Sequence, residues 1–247
     1  MLNLSLLVCT KNSEKSIVAC LNSALPILKA GAELIIVDGR SSDDTIKLVM
    51  SFLEINNIIN YNINIQLNKG LYEAFNIAIE RSNRKKILFL HSDDLLQNTK
   101  TIIADVRNST SDVTFYGIEI EGALFRRKWR VANLSCINVK SMIIPPHPGI
   151  VVSRNVYCKV GNFKTNYKIA GDFDWMLRLL STSNMSFSFS NETTYIMKSG
   201  GVSNSGFVSE LKKYSEDVSV LKSHRFKFPI FLAFLKKINK LFQFGKI

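Results

Sequence analysis

The chain is poor in the residues that mark fibrous, disordered and disulfide-stapled proteins. It has only 5 Pro and 12 Gly among 247 residues, which excludes collagen-like and low-complexity chains. Its 4 Cys (Cys9, Cys20, Cys136 and Cys158) form no C-x-x-C pair and lie at no zinc-ligand spacing from a histidine. Scattered thiols in a chain this long read as reduced core residues of a cytosolic protein. No run of 18 apolar residues exists, so no simple helix is expected to span a bilayer. The apolar start Met1–Cys9 lacks a basic flank and soon turns polar, so it is not expected to be a signal peptide. No G-x-G-x-x-G follows the first apolar run, which argues against a dinucleotide-dependent oxidoreductase. Thr10-Lys11-Asn12-Ser13-Glu14 is not a Gly-rich phosphate loop, which argues against a nucleotidyltransferase.

Acidic residues are also scarce. There are 20 Asp+Glu against 32 Lys+Arg, a net charge of +12. Such a balance points to a polyanionic partner, nucleic acid or an anionic membrane surface. Residues 211–247 hold nine Lys/Arg and two Asp/Glu, so +7 of the +12. A nucleic-acid binder would interleave its basic residues with exposed aromatics across a sheet or groove; concentration in a tail disfavours that reading. The remaining composition, 46% hydrophobic and 21% charged, is that of a globular protein. At roughly 150 residues per domain the length fits one larger domain or two small ones.

The first hundred residues alternate strand-like and helix-like segments. Strands are expected at Leu4–Cys9, Glu33–Val37, Tyr61–Ile65 and Lys86–Leu90. Helices are expected at Ser13–Leu28, at Asp43–Leu53 with Ser42 as cap, and at Leu71–Arg81. Such alternation argues for an α/β fold with a mostly parallel sheet flanked by helices. Ligands then bind beyond the carboxyl ends of the strands, where Asp38 and Asp93-Asp94 fall. Further on, Asp112–Ile120 and Ala123–Val131 read as a hairpin or meander. Ser153 caps a short helix ending near Gly161, Asp172–Leu180 starts another, and Gly200–Gly206 is a flexible loop. The tail shows a helical stripe of Phe231, Phe234, Leu235, Ile238, Leu241 and Phe242, with Lys236, Lys237, Lys240 and Gln243 opposite. This stripe fits an anionic membrane surface or packing on the domain. The boundaries expected are 1–208 for the main domain, with halves 1–108 and 109–208, and 209–247 for the basic helical tail.

Carboxylates at strand ends can converge on one cleft, and a hard divalent cation binds one or two carboxylates plus substrate phosphates. Five stretches bear on that chemistry: Ser5–Asn12, Glu33–Thr45 around Asp38-Gly39-Arg40-Ser41-Ser42, Asn68–Asn76, Ile87–Asp94 and Ile169–Trp175. In order and spacing they resemble the inverting glycosyltransferases of family 2, which have the nucleotide-sugar-binding GT-A fold. The resemblance covers roughly residues 3–205. It implies that Thr10, Asn12, Asp38, Lys69 and Ser92 contact the nucleotide, with Asp38 on the base, usually uracil. It implies that Asp93, with Asp94 beside it, binds Mn²⁺ or Mg²⁺, and that Asp172 is the base activating an acceptor hydroxyl. His91 stands at the first position of the Asp-x-Asp motif, as a metal or phosphate contact or as a polar strand-end residue. Gly171 replaces an acid that many relatives carry.

His147 is either an acceptor-side group or a buried turn histidine. Asp174 either serves the acceptor side or braces the helix, and Trp175 is either core or a sugar-stacking wall. Arg126-Arg127-Lys128-Trp129-Arg130 is either a contact for pyrophosphate or lipid headgroups or a solvated hairpin. The expected partners are a nucleotide-sugar donor, expected to be UDP-linked, and a saccharide or lipid-linked saccharide acceptor. An anionic membrane surface is a further expected partner and nucleic acid is not. The expected location is cytoplasmic, peripheral on the inner face of the membrane, in O-antigen, capsule or exopolysaccharide assembly. The alternative is a catalytically inactive scaffold of the same fold or a nucleotide-binding protein in polysaccharide assembly.

Overall fold

A computed structural model describes residues 1–67, 70–122, 126–130, 133–198 and 206–242, and only the backbone of 126, 206–208 and 240–242. Strands β1 (Leu4–Thr10), β2 (Glu33–Asp38), β3 (Tyr61–Ile65) and β4 (Lys86–Phe89) alternate with helices α1 (Ile17–Lys29), α2 (Thr45–Ile55) and α3 (Leu71–Arg81). The four strands are parallel, in the order β3-β2-β1-β4. Every residue of β1 and β2 is buried, because helices cover both faces of this part of the sheet. Alternate side chains enter different cores. Leu6, Val8, Leu34 and Ile36 pack with α1 and α2, whereas Leu7, Cys9, Ile35 and Val37 pack with α3.

Beyond β4 the sheet becomes mixed. Next come β5 (Leu95–Leu96), α4 (Thr99–Asn108), β6 (Val113–Glu121), β7 (Arg126–Trp129), β8 (Ile150–Ser153), α5 (Arg154–Val160), α6 (Gly171–Ser181) and β9 (Phe187–Lys198). The strand order continues β4-β8-β6-β9-β5, with β7 paired to β6. Strand β8 runs antiparallel to both β4 and β6, while β6 and β9 are parallel. Helices α7 (Gly206–Ser223) and α8 (Pro229–Phe242) end the described chain. Among the described residues no helix is long and apolar enough to cross a membrane.

One irregularity places a group at the site. The β6–β9 register shifts around Gly117, where Thr193 and then Tyr195 follow Phe189 as partners. A Cβ on Gly117 would lie 2.9 Å from Thr193 Oγ1. Strand residues two apart normally share a face, yet Phe187 and Phe189 join one core and Tyr195 and Met197 the other. The bulge re-aims Tyr195, whose hydroxyl reaches the turn after β4.

Several local expectations change. Helix α2 starts at Thr45, and Asp43 rather than Ser42 accepts from its first backbone N–H. The Ser42 N–H is instead donated to Asn12 Oδ1 at 2.9 Å, so the residue is engaged by a neighbouring loop. Strands β5, β8 and β9 and helices α4 and α7 lie in stretches with no strong periodic reading. Lys69, Ala123–Phe125 and the Gly200–Ser205 loop lie outside the described residues.

Trp175 is core. It is 0% exposed, stacks on Tyr157 at 5.0 Å and Phe163 at 5.5 Å, and donates from Nε1 to the Gly161 carbonyl. Its ring therefore cannot form a sugar-stacking wall without repacking. Trp175→Ala is expected to lower the unfolding free energy by about 3–5 kcal/mol, as for other buried aromatic truncations. Urea unfolding measures this; unchanged stability would remove the residue from the core.

Candidate functional site

Parallel strands bring the ends of β1, β2 and β4 to one edge of the sheet. Thr10 pairs in register with Asp38, and the Thr10 carbonyl accepts from Gly39 N–H at 2.8 Å. Thr10 is buried and its Oγ1 has no partner among the described residues. Asp38 is buried, and its two oxygens accept from the Ser41 N–H at 2.9 Å and the Ser41 hydroxyl at 2.6 Å. Asn12 has a left-handed backbone, φ 49. Its N–H is donated to Ser41 Oγ, and its Oδ1 accepts from Ser42. Ser92 is buried and bonded to Ser13 through the two hydroxyls, 2.9 Å apart. Thr10, Asn12, Asp38 and Ser92 thus share one hydrogen-bonded set of loops.

The turn after β4 separates its two acids. Asp94 is buried and accepts from the Tyr195 hydroxyl at 2.9 Å and the Lys198 N–H at 3.0 Å. Burial, opposed by His91 and augmented by the Asp93 charge, lifts its carboxyl to about 6. Tyr195 also accepts from the His91 N–H at 3.0 Å, so one phenol holds both ends of the turn. Asp93 is half-buried, and among the described residues no hydrogen bond or ion pair engages it. The His91 ring lies 5.6 Å from Phe75.

Asp172 sits in the first turn of α6, where the helix dipole favours negative charge. Its Oδ1 accepts from the Phe173 N–H at 2.7 Å and, at 3.4 Å, from the Tyr72 hydroxyl. Its Oδ2 makes no hydrogen bond among the described residues. Tyr72 donates chiefly to the Ile169 carbonyl at 2.6 Å; burial and then the Asp172 charge push its hydroxyl up, so it stays a donor. The Tyr72 ring also explains Gly171, since a Cβ there would lie 2.6 Å from it. The segment before Asp172 is held by Glu216 of α7, which accepts from the N–H groups of Lys168, Ile169 and Ala170. Three consecutive donors on one carboxylate fix the approach to the helix.

His147 is 4% exposed, with its Nε2 unpartnered among the described residues, and packs against Phe75, Phe89, Phe163 and Trp175. Burial pushes its imidazole down to about 4, with Asp172 pulling upward and His91 adding to the fall. It is therefore neutral near pH 7, and it senses charge at both the β4 turn and the α6 start. Asp174, two residues past Asp172, is 0% exposed and paired at 2.9 Å with each of Lys164, Arg178 and His224. Burial alone would raise its carboxyl, but the hydrogen bonds from Lys164, His224 and Arg178 outweigh this and hold it below the ordinary range. Asp174 and Trp175 thus belong to the scaffold behind Asp172. Glu216 and Tyr195 had no signal in the sequence: each contacts the site across 46 to 104 residues of chain. Tyr72 lies within the Asn68–Asn76 stretch, but its contact with the α6 segment, 97 residues away, leaves no local pattern.

A family model described as glycosyl transferase family 2 matches residues 5–172. Relatives from Mycobacterium bovis and Mycobacterium tuberculosis, each named a PGL/p-HBAD biosynthesis glycosyltransferase, are 27% identical over 188 residues, covering 72% of this chain and 69% of theirs. The fold is similar to that of S. aureus TarS 1-349 in complex with UDP-GlcNAc, at a TM-score of 0.68 and 22% identity over 88% of this chain. This chain spans 65% of that one. It is also similar to mannosyltransferase PcManGT from Pyrobaculum calidifontis in complex with GDP-Man and Mn²⁺, at a TM-score of 0.65, 15% identity and coverage of 94% and 69%.

The Asp174 cluster carries a pH dependence. Because the folded chain holds this carboxyl below its ordinary value, its stabilisation is complete above about pH 4 and lost as pH falls through the lower, folded value. Asp174→Asn is expected to remove that acid-side loss. It is also expected to lower neutral-pH stability by about 3–5 kcal/mol, the usual effect of breaking a buried ion cluster. Urea titrations at neutral and acidic pH measure both; an unchanged acid limb would detach the cluster from folding.

Proposed function

The chain belongs to glycosyl transferase family 2, and from that premise we propose that it moves a sugar from a UDP-linked donor to a saccharide hydroxyl by a single inverting displacement. The observation that carries this reading is the division among the acids. Asp38, Asp94 and Asp174 have both oxygens engaged by the protein. Asp93 and the Oδ2 of Asp172 remain without protein partners among the described residues. Asp93 and Asp172 thus keep carboxylate oxygens for the two tasks the reaction needs.

Asp172 takes the acceptor proton. Its Oδ1 is oriented by the Phe173 N–H and Tyr72, which leaves Oδ2 for the hydroxyl. The acceptor oxygen forms its bond to the anomeric carbon as the bond to the donor diphosphate breaks. The proton passes to Asp172, and the electron pair leaves with the nucleoside diphosphate. A general base of this kind must lie within about 3 Å of the proton it removes. The cation reading rests on Asp93, a half-buried carboxylate with no partner among the described residues, next to His91. Among the described residues no group of three or more potential ligands could hold a metal ion, so donor phosphates would complete the shell. When bound, Mn²⁺ or Mg²⁺ neutralises charge gathering on the leaving diphosphate. Thr10, Asn12, Asp38 and Ser92 form the nucleoside side, with Lys69 expected nearby. The proposed acceptor is a saccharide on a lipid pyrophosphate, as in surface-polysaccharide assembly; the basic tail supports that choice.

Asp172→Asn is expected to keep nucleotide binding and to lose a factor of about 10²–10⁴ in turnover; full activity would overturn the assignment. Binding is read by thermal shift with UDP, GDP, ADP and CMP, each with and without Mn²⁺. At 100 times its dissociation constant a ligand adds about 2.7 kcal/mol, a shift of several degrees. A Mn²⁺-dependent shift with UDP, reduced in Asp93→Ala, is the expected result. A shift with GDP alone would change the donor class, and no shift with any nucleotide would favour an inactive scaffold.

A further inference from the structure

Helices α7 and α8 form a hairpin whose outer face is apolar. Tyr214, Phe228, Pro229, Ile230, Phe231 and Phe234 line an open groove of about 490 Å³. Phe228 is 75% exposed, Ile230 63%, Phe231 59% and Phe234 53%. Single exposed apolar residues are ordinary, but a contiguous set of this size marks an interaction surface. The hairpin holds these side chains outward. Tyr214 donates its hydroxyl to the Ile230 carbonyl. Phe228 takes a left-handed backbone, φ 61, which is costly for a bulky residue.

The other face of α8 is occupied, and this changes the sequence reading of the tail. Ala233 is buried, Leu232 packs on the core, and Asn239 donates to the Ser141 carbonyl. Lys236 turns inward, paired with Asp217 and 3.5 Å from the centre of the Phe173 ring. Phe231 and Phe234 lie on the exposed face, while Lys236 lies on the inner one with Leu232, Ala233 and Asn239.

The surrounding charge is one-sided. Residues 206–242 hold eight Lys/Arg and three Asp/Glu. All three acids are engaged: Glu216 by the 168–170 backbone, Asp217 by Lys236 and Glu210 by Lys237. Exposed Lys212, Lys222, Arg225 and Lys227 have no carboxylate partner among the described residues. A second copy of the chain would bring its own net +12 against this face. A negatively charged surface with an apolar interior matches both features at once.

We propose that this face docks on an anionic lipid surface. Phe228, Ile230, Phe231 and Phe234 enter the boundary between headgroups and acyl chains, while Lys222, Arg225 and Lys227 meet lipid phosphates. The same hairpin grips the segment before Asp172 through Glu216 and the Phe173 ring through Lys236. Docking therefore sets the Asp172 turn in register with the bilayer. On the transferase reading, on which only this consequence rests, the acceptor is presented from the lipid.

The test is co-sedimentation of the full chain with phosphatidylcholine vesicles, with and without phosphatidylglycerol. Binding is expected only to the anionic vesicles and to weaken with salt. Phe231→Ser with Phe234→Ser is expected to lower partitioning about tenfold or more, and Lys227→Ala about fivefold. The UDP thermal shift, read on the same samples, should be unchanged in these variants. That separates failure of docking from misfolding and from failure of the transferase reading. Arg225→Glu with Lys227→Glu supplies a second test that leaves the apolar face intact. Equal binding to neutral vesicles, no binding to anionic ones, or full binding by both double variants would overturn the proposal. So would self-association of the wild type that the phenylalanine variant abolishes, which would assign the face to a second copy.

Discussion

A fully buried carboxylate that stays ionised needs partners close enough to offset the loss of water. Asp174 meets that demand with Lys164 from the loop before α6, Arg178 from α6 itself and His224 from the end of α7. Three parts of the second half of the chain are therefore tied to one group. That group lies two residues from Asp172. The interaction that consolidates the scaffold also sets the helix whose first turn carries the proposed base. Glu216 repeats the arrangement one step earlier, collecting three backbone N–H groups from the segment that leads into α6.

The nucleotide side is built differently. There the parallel strands, covered on both faces, leave only their carboxyl ends open to a ligand. The polar groups at those ends mostly hold one another: Asp38 with Ser41, Asn12 with Ser42, Ser13 with Ser92. Among the described residues Thr10 Oγ1 is the buried side-chain group of these loops left without a partner. Against that background Asp93 stands out, because its neighbour Asp94 is taken up by Tyr195 and Lys198 while nothing among the described residues engages Asp93.

The two regions meet around aromatic rings. Phe75 lies against both His91 and His147, and Tyr72 crosses from the start of α3 to the α6 segment. The α7–α8 hairpin joins this assembly from behind, placing Glu216 and Lys236 inward and its phenylalanines outward. Its amphipathic character is thus divided between a structural inner face and an outer one exposed among the described residues.

Strands β1, β2 and β4 were legible because each is a short apolar run ending in a polar turn, a pattern set by burial on both faces, whereas β3, at the exposed edge, was legible by its alternation of Asn with Tyr and Ile. So were α3, bounded by Gly70 and Arg81, and the candidate acids, which stand at the strand and helix ends the pattern marks. The later strands were not. Strand β9 has no periodic signal because its register shift moves Tyr195 and Met197 to the face opposite Phe187 and Phe189. Nor could the sequence rank its acids, since Asp93 and Asp94 are neighbours with the same side chain, and Asp172 and Asp174 stand only two residues apart in one helix. By itself it determined which residues carry charge and where the strands end. The tertiary structure alone decided which carboxylates are neutralised from within. Two of their partners, Tyr195 on Asp94 and His224 on Asp174, come from distant segments and meet their targets only when the sheet and the final helices have packed.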